Sequence, residues 1–203
     1  MDFTRYAYEN NRVDTVKGQL WYYPPRHIAL LVSAPMEQRM FLDSNQMILY
    51  YPKEKKAFRF RSKREFAMPF FQAFLSAREG KTSPQGGFTL KQNVEKGDTL
   101  FSLWDPPAKS RKAVGSAKVG LVKGRLAVSE LSDPQGKLLA RSLFRNYQIR
   151  NGMAFPMEIE IQSFKTPGVE KTFFENLKSQ SALPPEIRDF QIPSDATVRE
   201  VEW

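Results

Sequence analysis

The chain has 203 residues, 41% hydrophobic and 13% aromatic, which is enough to bury a substantial core and short enough for one domain spanning residues 1–203. Thirty-one Lys and Arg against 22 Asp and Glu give a net charge of +9, which favours an anionic partner such as nucleic acid, lipid headgroups or an acidic protein. The absence of cysteine excludes disulfides, thiol catalysis and cysteine-ligated zinc.

Alternation between apolar and polar residues, interrupted by turn sequences, predicts a meander of antiparallel strands with one buried face. In the first half, residues 16–22, 36–42 and 57–61 alternate in this way, and "DSNQ" and "PKEKK" supply turns. The second half continues the pattern, and Asn151-Gly152 favours the positive φ angles of a tight hairpin. We count about ten strands, as is typical of an all-β sheet or barrel.

Residues 53–64, "KEKKAFRFRSKR", contain seven basic side chains and one acidic side chain. Basic residues that contact phosphates and phenylalanines that stack on bases would together suit a nucleic acid. Strand alternation, however, places Phe58 and Phe60 on the face opposite Arg59 and Arg61, so stacking and charge would lie on different sides of the sheet. A solvated basic face over a buried aromatic face explains the same residues.

The segment "EFAMPFFQAFLSAREG", residues 65–80, predicts a short helix over Pro69–Arg78. Pro69 suits the first helical position, and Gly80 suits a left-handed cap after the last turn. Apolar side chains would cover nearly two thirds of the circumference of this helix.

The sequence gives little support for catalysis. His27 is the only histidine and precedes a strand, where a structural role is favoured over general-base work. No serine elbow, phosphate-binding glycine loop, dinucleotide fingerprint or histidine-containing metal cluster is present in the sequence. Glu158 and Glu160 have the spacing of a solvated strand face rather than of paired catalytic carboxylates. We therefore expect no enzymatic activity, cofactor or metal.

A hydrophobic binding function is the third interpretation, beside a plain packed core. Sixteen Phe and seven Met concentrate on the strand faces and the predicted helix. A short apolar helix inserted into a meander can cover the concave face of a curved sheet, and an incompletely filled concavity would accept acyl chains. The residues expected to line this cavity and its helical lid are Leu20, Tyr22, Ile28, Leu30, Met40, Leu49, Phe58, Phe60, Met68, Phe70, Phe71, Phe74 and Leu75.

The order of several short motifs resembles that of the LolA-type periplasmic lipoprotein carriers. Residues 16–60 combine a glycine–aromatic strand at Gly18 and Trp21 with proline-bearing turns at Pro25 and Pro52. After them, "FAMPFFQAFL" stands where the family has a proline-led lid helix. "LSDPQGKLLARSLFRNYQIRNGMAFP" resembles the late hairpin of the family, and "DFQIPSDATV" resembles its closing strand.

This resemblance implies a mainly β fold, a strongly curved antiparallel half-barrel of about eleven strands with a helical lid over an apolar cavity. It implies a monomeric periplasmic carrier that binds the acyl chains of lipoproteins and shuttles them from the inner to the outer membrane. An inner-membrane release complex and an outer-membrane receptor would be its partners. The sequence departs from the family at two points: the N-terminal helix is missing or trimmed, and Pro24 stands where the family has a lid-latching arginine.

Location and surface charge give two further expectations. We expect a longer precursor whose export signal has been removed. We also expect Arg59, Arg61, Lys63 and Arg64 to contact anionic headgroups or an acidic membrane partner, as peripheral docking residues. Two alternatives stay open: a basic β-sheet domain that binds nucleic acid, and a LolA-like lipid-sensing regulator of envelope stress, because one fold can serve several functions.

Overall fold

A computed structural model describes residues 1–23, 27–43, 45–61, 87–166, 168–178 and 183–202, with Tyr23 described only in its backbone. These residues form fourteen strands, one 3-10 turn at Ala108–Ser110 and one short helix, α1, at Pro185–Arg188. The strands are β1 Asp2–Glu9, β2 Arg12–Tyr23, β3 His27–Ala34, β4 Gln38–Leu42, β5 Gln46–Tyr51, β6 Lys56–Arg61, β7 Thr89–Lys96, β8 Thr99–Asp105, β9 Ser116–Val122, β10 Arg125–Ser132, β11 Leu138–Arg150, β12 Met153–Ser163, β13 Gly168–Glu175 and β14 Thr197–Glu202.

The strands follow one another in a single hydrogen-bonded order that ends at β14 on one side and at β7 on the other: β14-β6-β5-β4-β3-β2-β1-β13-β12-β11-β10-β9-β8-β7. The chain is therefore mainly β, as predicted, but has more strands than the eleven expected. The difference in strand number arises partly in the last forty residues, where the sequence of β13 is compatible with either a strand or a helix. One pairing departs from the predicted antiparallel pattern, because β14 pairs with β6 in parallel.

Two tight hairpins explain how consecutive strands turn. Asn151 and Gly152 have φ angles of 50° and 74° between β11 and β12, which confirms the predicted turn. Asn10 and Asn11, with φ angles of 47° and 62°, connect β1 to β2 in the same way. Asparagine tolerates this left-handed backbone better than most residues, so the second turn needs no glycine.

Contacts divide the described residues into two compact units, and the single domain expected from the sequence stays a prediction. The first unit lies within Met1–Arg5, Thr15–Met68 and Phe174–Trp203, and the second lies within Tyr6–Asp14 and Pro69–Phe173. Buried core side chains of the first unit are Phe3, Leu20, Ile28, Ala29, Val32, Met40, Leu42, Met47, Tyr50, Ala57, Phe174 and Ile187. Those of the second are Ala117, Val119, Leu126, Phe144, Phe155, Met157 and Ile159.

Gly18 on β2 makes a close contact that no other residue could make. A β-carbon at this position would collide with the backbone carbonyl oxygen of Leu31 and would lie 2.8 Å from the ring of Phe3. The ring of Phe3 is buried in the first unit, so it has little freedom to move away.

We expect Gly18→Ala to lower the free energy of unfolding by about 1–3 kcal/mol, because the added methyl group forces the backbone of β3 or the ring of Phe3 to shift. Urea unfolding measures this change. Gly97→Asn is the matched control, since Gly97 has a φ angle of 58° and no atom within 4 Å of a built β-carbon. An equal loss of stability in both variants would contradict the steric explanation.

A ladder of ion pairs crosses one face of the second unit. The register places Lys118, Glu130 and Arg141 side by side on β9, β10 and β11. Glu130 accepts a hydrogen bond from Lys118 Nζ at 2.6 Å and another from Arg141 Nε at 2.7 Å. Burial by itself raises the pKa of Glu130, but the bonds from these two cations outweigh it and hold the pKa below its ordinary value.

We expect Glu130→Gln to lower the free energy of unfolding at pH 7 by about 1–2 kcal/mol, because it leaves the cations without a carboxylate. The folded-state pKa of Glu130 is depressed, so its contribution is present above the unfolded value of about 4.3 and is lost as the pH falls through the folded value. The variant should therefore lose less stability than the parent during acidification. Glu95→Gln on the exposed strand β7 is the control and should change stability by less than about 0.5 kcal/mol. Equal acid sensitivity of parent and Glu130→Gln would contradict this assignment.

Candidate functional site

The strand register of the first unit brings together the eight predicted cavity residues that the structure describes. Cross-strand partners share a face, since side chains alternate along each strand. Two parallel rows of partners result. One row runs through Leu20, Leu30, Met40, Leu49 and Phe58, and the other runs through Tyr22, Ile28, Leu42, Met47 and Phe60. These ten side chains, from five consecutive strands, are called the apolar face below.

The apolar face contains two residues, Leu42 and Met47, that the sequence-based selection omitted. Leu42 lies two positions after Met40, and alternation alone would have placed it there. Met47 comes shortly after a turn, so no alternating residues before it indicate which face of the sheet it occupies. Its position on the apolar face follows from its observed pairing with Leu42.

Burial separates the apolar face into a packed part and a partly accessible part. Leu20 and Ile28 are 1% and 2% exposed, and Met40, Leu42 and Met47 are also buried. The remaining members keep an intermediate exposure: Tyr22, Leu30, Leu49, Phe58 and Phe60. The face therefore combines a fixed floor with side chains that retain surface for a further apolar contact.

The predicted lid lies outside the described residues. This applies to the helix expected over Pro69–Arg78, and with it to Met68, Phe70, Phe71, Phe74 and Leu75. Lys63 and Arg64 of the predicted docking set lie outside the described residues as well.

Arg59 and Arg61, the described docking residues, lie on the opposite face from Phe58 and Phe60, as predicted. The parallel pairing of β14 places Glu200 beside them. Arg59 Nη1 lies 2.7 Å from Glu200 Oε1, and Arg61 Nε lies 3.8 Å from Glu200 Oε2. The positive charge of this strand is therefore partly compensated within the protein.

A pocket of about 470 Å³ opens on the side of β2–β5 opposite the apolar face, and two members of that face, Ile28 and Leu42, also border it. Trp21 pairs with Ala29, Ala29 with Phe41, and Phe41 with Ile48, so these four side chains form its sheet wall. The second wall is the chain from Leu183 to Phe190, which includes α1. The remaining lining residues are His27, Ile28, Leu42, Asp43, Gln46, Ile187 and Arg188.

Of the eight predicted cavity residues that the structure describes, Ile28 alone borders this pocket. The sequence contained one signal for it, namely that β2–β5 carry large apolar residues on both faces instead of one. Such strands are covered on both sides, and the second cover comes from Ile187 and Phe190, far along the chain.

Within the part of the chain that the structure describes, no group of three or more metal-binding side chains comes together. None of the described helices is long and apolar enough to cross a membrane.

No protein-family model matches the sequence. A search of curated proteins also finds no match.

Solved structures, in contrast, match over most of the chain. A LolA superfamily protein from Nitrosomonas europaea is 14% identical with a TM-score of 0.59, over 92% of this chain and 87% of its own. A DUF1329 family protein from Desulfovibrio piger is 10% identical with a TM-score of 0.58, over 91% and 88%. A putative outer membrane lipoprotein-sorting protein domain from Vibrio parahaemolyticus is 13% identical with a TM-score of 0.57, over 93% and 88%.

At these identities the likeness shows the fold and nothing further. The predicted fold class is confirmed to that extent: the chain is mainly β and has the fold of LolA superfamily structures.

Proposed function

We propose that this protein binds the acyl chains of lipids or lipoproteins against the apolar face and carries lipoproteins from the inner to the outer membrane. The observation that supports the proposal is the register of β2–β6, which collects ten apolar side chains on one face and leaves five of them partly exposed. The fold supports it as well, because one similar structure is described as an outer membrane lipoprotein-sorting protein domain and another as a LolA superfamily protein.

The chemistry of the apolar face suits a carrier. Burial of one methylene group contributes about 0.8 kcal/mol, so contact with about ten methylenes contributes on the order of 8 kcal/mol before ordering costs are subtracted. That figure corresponds to an affinity near 1 μM at best. A ligand held at this strength can leave a membrane and still be released at the next one.

This function would take place in the cell envelope, with a periplasmic location for the protein. A monomer would receive its ligand from an inner-membrane release complex and pass it to an outer-membrane receptor. We propose that the segment over Pro69–Arg78 forms a helical lid on the acyl chain, to which Met68, Phe70, Phe71, Phe74 and Leu75 would contribute. The binding of acyl chains requires no enzymatic step and no cofactor.

We expect Leu30→Ala to weaken binding of a triacylated lipopeptide by about fivefold to tenfold, because the ligand loses contact with up to three carbon atoms at the wall. Fluorescence titration with a labelled lipopeptide measures the dissociation constant.

Leu31→Ala is the matched control for this variant. Leu31 is the same residue type on the same strand, with the same intermediate exposure, but it faces Gln19 and Arg39 on the other side. It should leave the dissociation constant unchanged. Equal weakening in both variants, or no binding by the parent protein, would contradict the acyl-binding proposal.

We also expect neutralisation of the four docking residues to slow association with anionic lipid vesicles at low salt, while lipopeptide binding is retained. The variant carries Arg59→Gln, Arg61→Gln, Lys63→Gln and Arg64→Gln. Stopped-flow light scattering at two salt concentrations measures the association rate. The compensation of Arg59 and Arg61 by Glu200 limits the expected effect to about threefold to tenfold.

The control for this variant removes the same amount of charge from exposed sites elsewhere, so that both proteins change from +9 to +5. The exposed residues replaced by Gln are Lys112, Lys123, Lys137 and Lys165. An equal decrease of the association rate in this control would show that net charge alone governs the encounter. Loss of lipopeptide binding in the folded docking variant would instead place the basic strand in the ligand site.

A further inference from the structure

The pocket on the other side of β2–β5 has a wall that is held in place by aromatic packing. The ring of Phe190 stacks on the ring of Phe41, with centroids 3.9 Å apart and an angle of 12° between the rings. Phe190 also lies 6.0 Å from Tyr50, and Ile187 of α1 is only 6% exposed. The second wall is therefore part of the packed structure, and the space beside it is enclosed on two sides.

The lining that the structure describes is mostly apolar, and its two charged side chains, Asp43 and Arg188, hold hydrogen bonds within the protein. Asp43 uses Oδ1 to accept hydrogen bonds from the backbone N–H groups of Asn45 and Gln46, at 2.9 and 2.8 Å. Arg188 donates from Nε and Nη2 to both carboxylate oxygens of Asp189, at 2.9 and 2.6 Å. Among the described lining residues, Gln46 and His27 offer side-chain hydrogen-bonding groups, and the buried indole N–H of Trp21 has no hydrogen-bond partner within the protein.

The volume of the pocket limits the size of the ligand that it can hold. A pocket of about 470 Å³ falls within the usual range of roughly 300–1,000 Å³ for small-molecule sites. At about 30 Å³ for each group of the size of a water molecule, it holds on the order of fifteen non-hydrogen atoms. This is too small for a lipid with three acyl chains and large enough for one short chain with a compact head.

We propose that this pocket binds an uncharged amphiphile with a single chain of about eight to ten carbons. The chain lies between the Trp21–Ile48 sheet wall and the Ile187–Phe190 wall, and its hydroxyl- or amide-bearing head bonds to Gln46 and His27. The site goes beyond the proposed carrier function, since it takes a different ligand on a different face of the sheet.

The test is to titrate the full chain with 1-monooctanoylglycerol below its critical micelle concentration. Calorimetry and tryptophan fluorescence measure the dissociation constant. Ala29→Leu projects extra carbon atoms into the pocket and should raise the dissociation constant at least about tenfold. Gln46→Ala removes a hydrogen bond to the head and should raise it about threefold to tenfold. Urea unfolding establishes that both variants are folded.

Two controls locate the ligand. Leu31 lies on the same strand and face as Ala29 but outside the pocket, so Leu31→Ala should bind normally. Trp21→Phe should abolish the fluorescence response, whereas Trp104→Phe in the second unit should retain it.

Three results would overturn this proposal. The first is unchanged binding in folded Ala29→Leu and Gln46→Ala. The second is equal affinity for dodecanoate, which would show that the site does not select an uncharged head. The third is weakening by Leu30→Ala as strong as that by Ala29→Leu, which would place this ligand on the apolar face. Failure of lipopeptide binding leaves the proposal intact, because that experiment probes only the apolar face.

Discussion

Strand register is the constraint on which the rest of the first unit depends. Side chains alternate between the two faces with a period of two, so a slip of one residue would exchange every facing in β2–β6. The pairing of Leu20 with Leu30 and of Leu30 with Met40 places them on one side, and at the same time places Trp21, Ala29 and Phe41 on the other. Gly18 supports this arrangement, since its missing side chain allows β3 and the ring of Phe3 to approach.

The two units differ in the side chains on the second face of their strands. In the second unit, Lys118, Glu130 and Arg141 pair across neighbouring strands, so that face is charged and its carboxylates are compensated. In the first unit the corresponding face is apolar, and the ring of Phe190 covers the ring of Phe41. A sheet with two apolar faces can hold ligands on both sides, whereas a sheet with one charged face has a single place for an apolar core.

The sequence predicted the local features of this structure better than the distant ones. Alternation was sufficient to place Phe58 and Phe60 opposite Arg59 and Arg61, and Asn151-Gly152 to locate a turn, because both depend on neighbouring residues. The partners of Arg59 and Phe41 were not predictable in this way. Glu200 and Phe190 reach them from the end of the chain, and no periodicity connects residues so far apart. The pocket depends on such a distant partner as well, because its second wall comes from Leu183 to Phe190.

The parallel pairing of β14 with β6 also has a consequence for the order of folding. Arg59 and Glu200 are separated by 141 positions, so their contact closes a very long loop, whereas the hairpins between β2 and β6 close only short ones. Long-range strand pairs form slowly, because the entropy of loop closure is lost before the contact contributes. During synthesis, one edge of β6 would stay unpaired until most of the remaining chain, including β14, has been made. The one lysine and two arginines of β6 are residues that discourage pairing with other molecules in that interval.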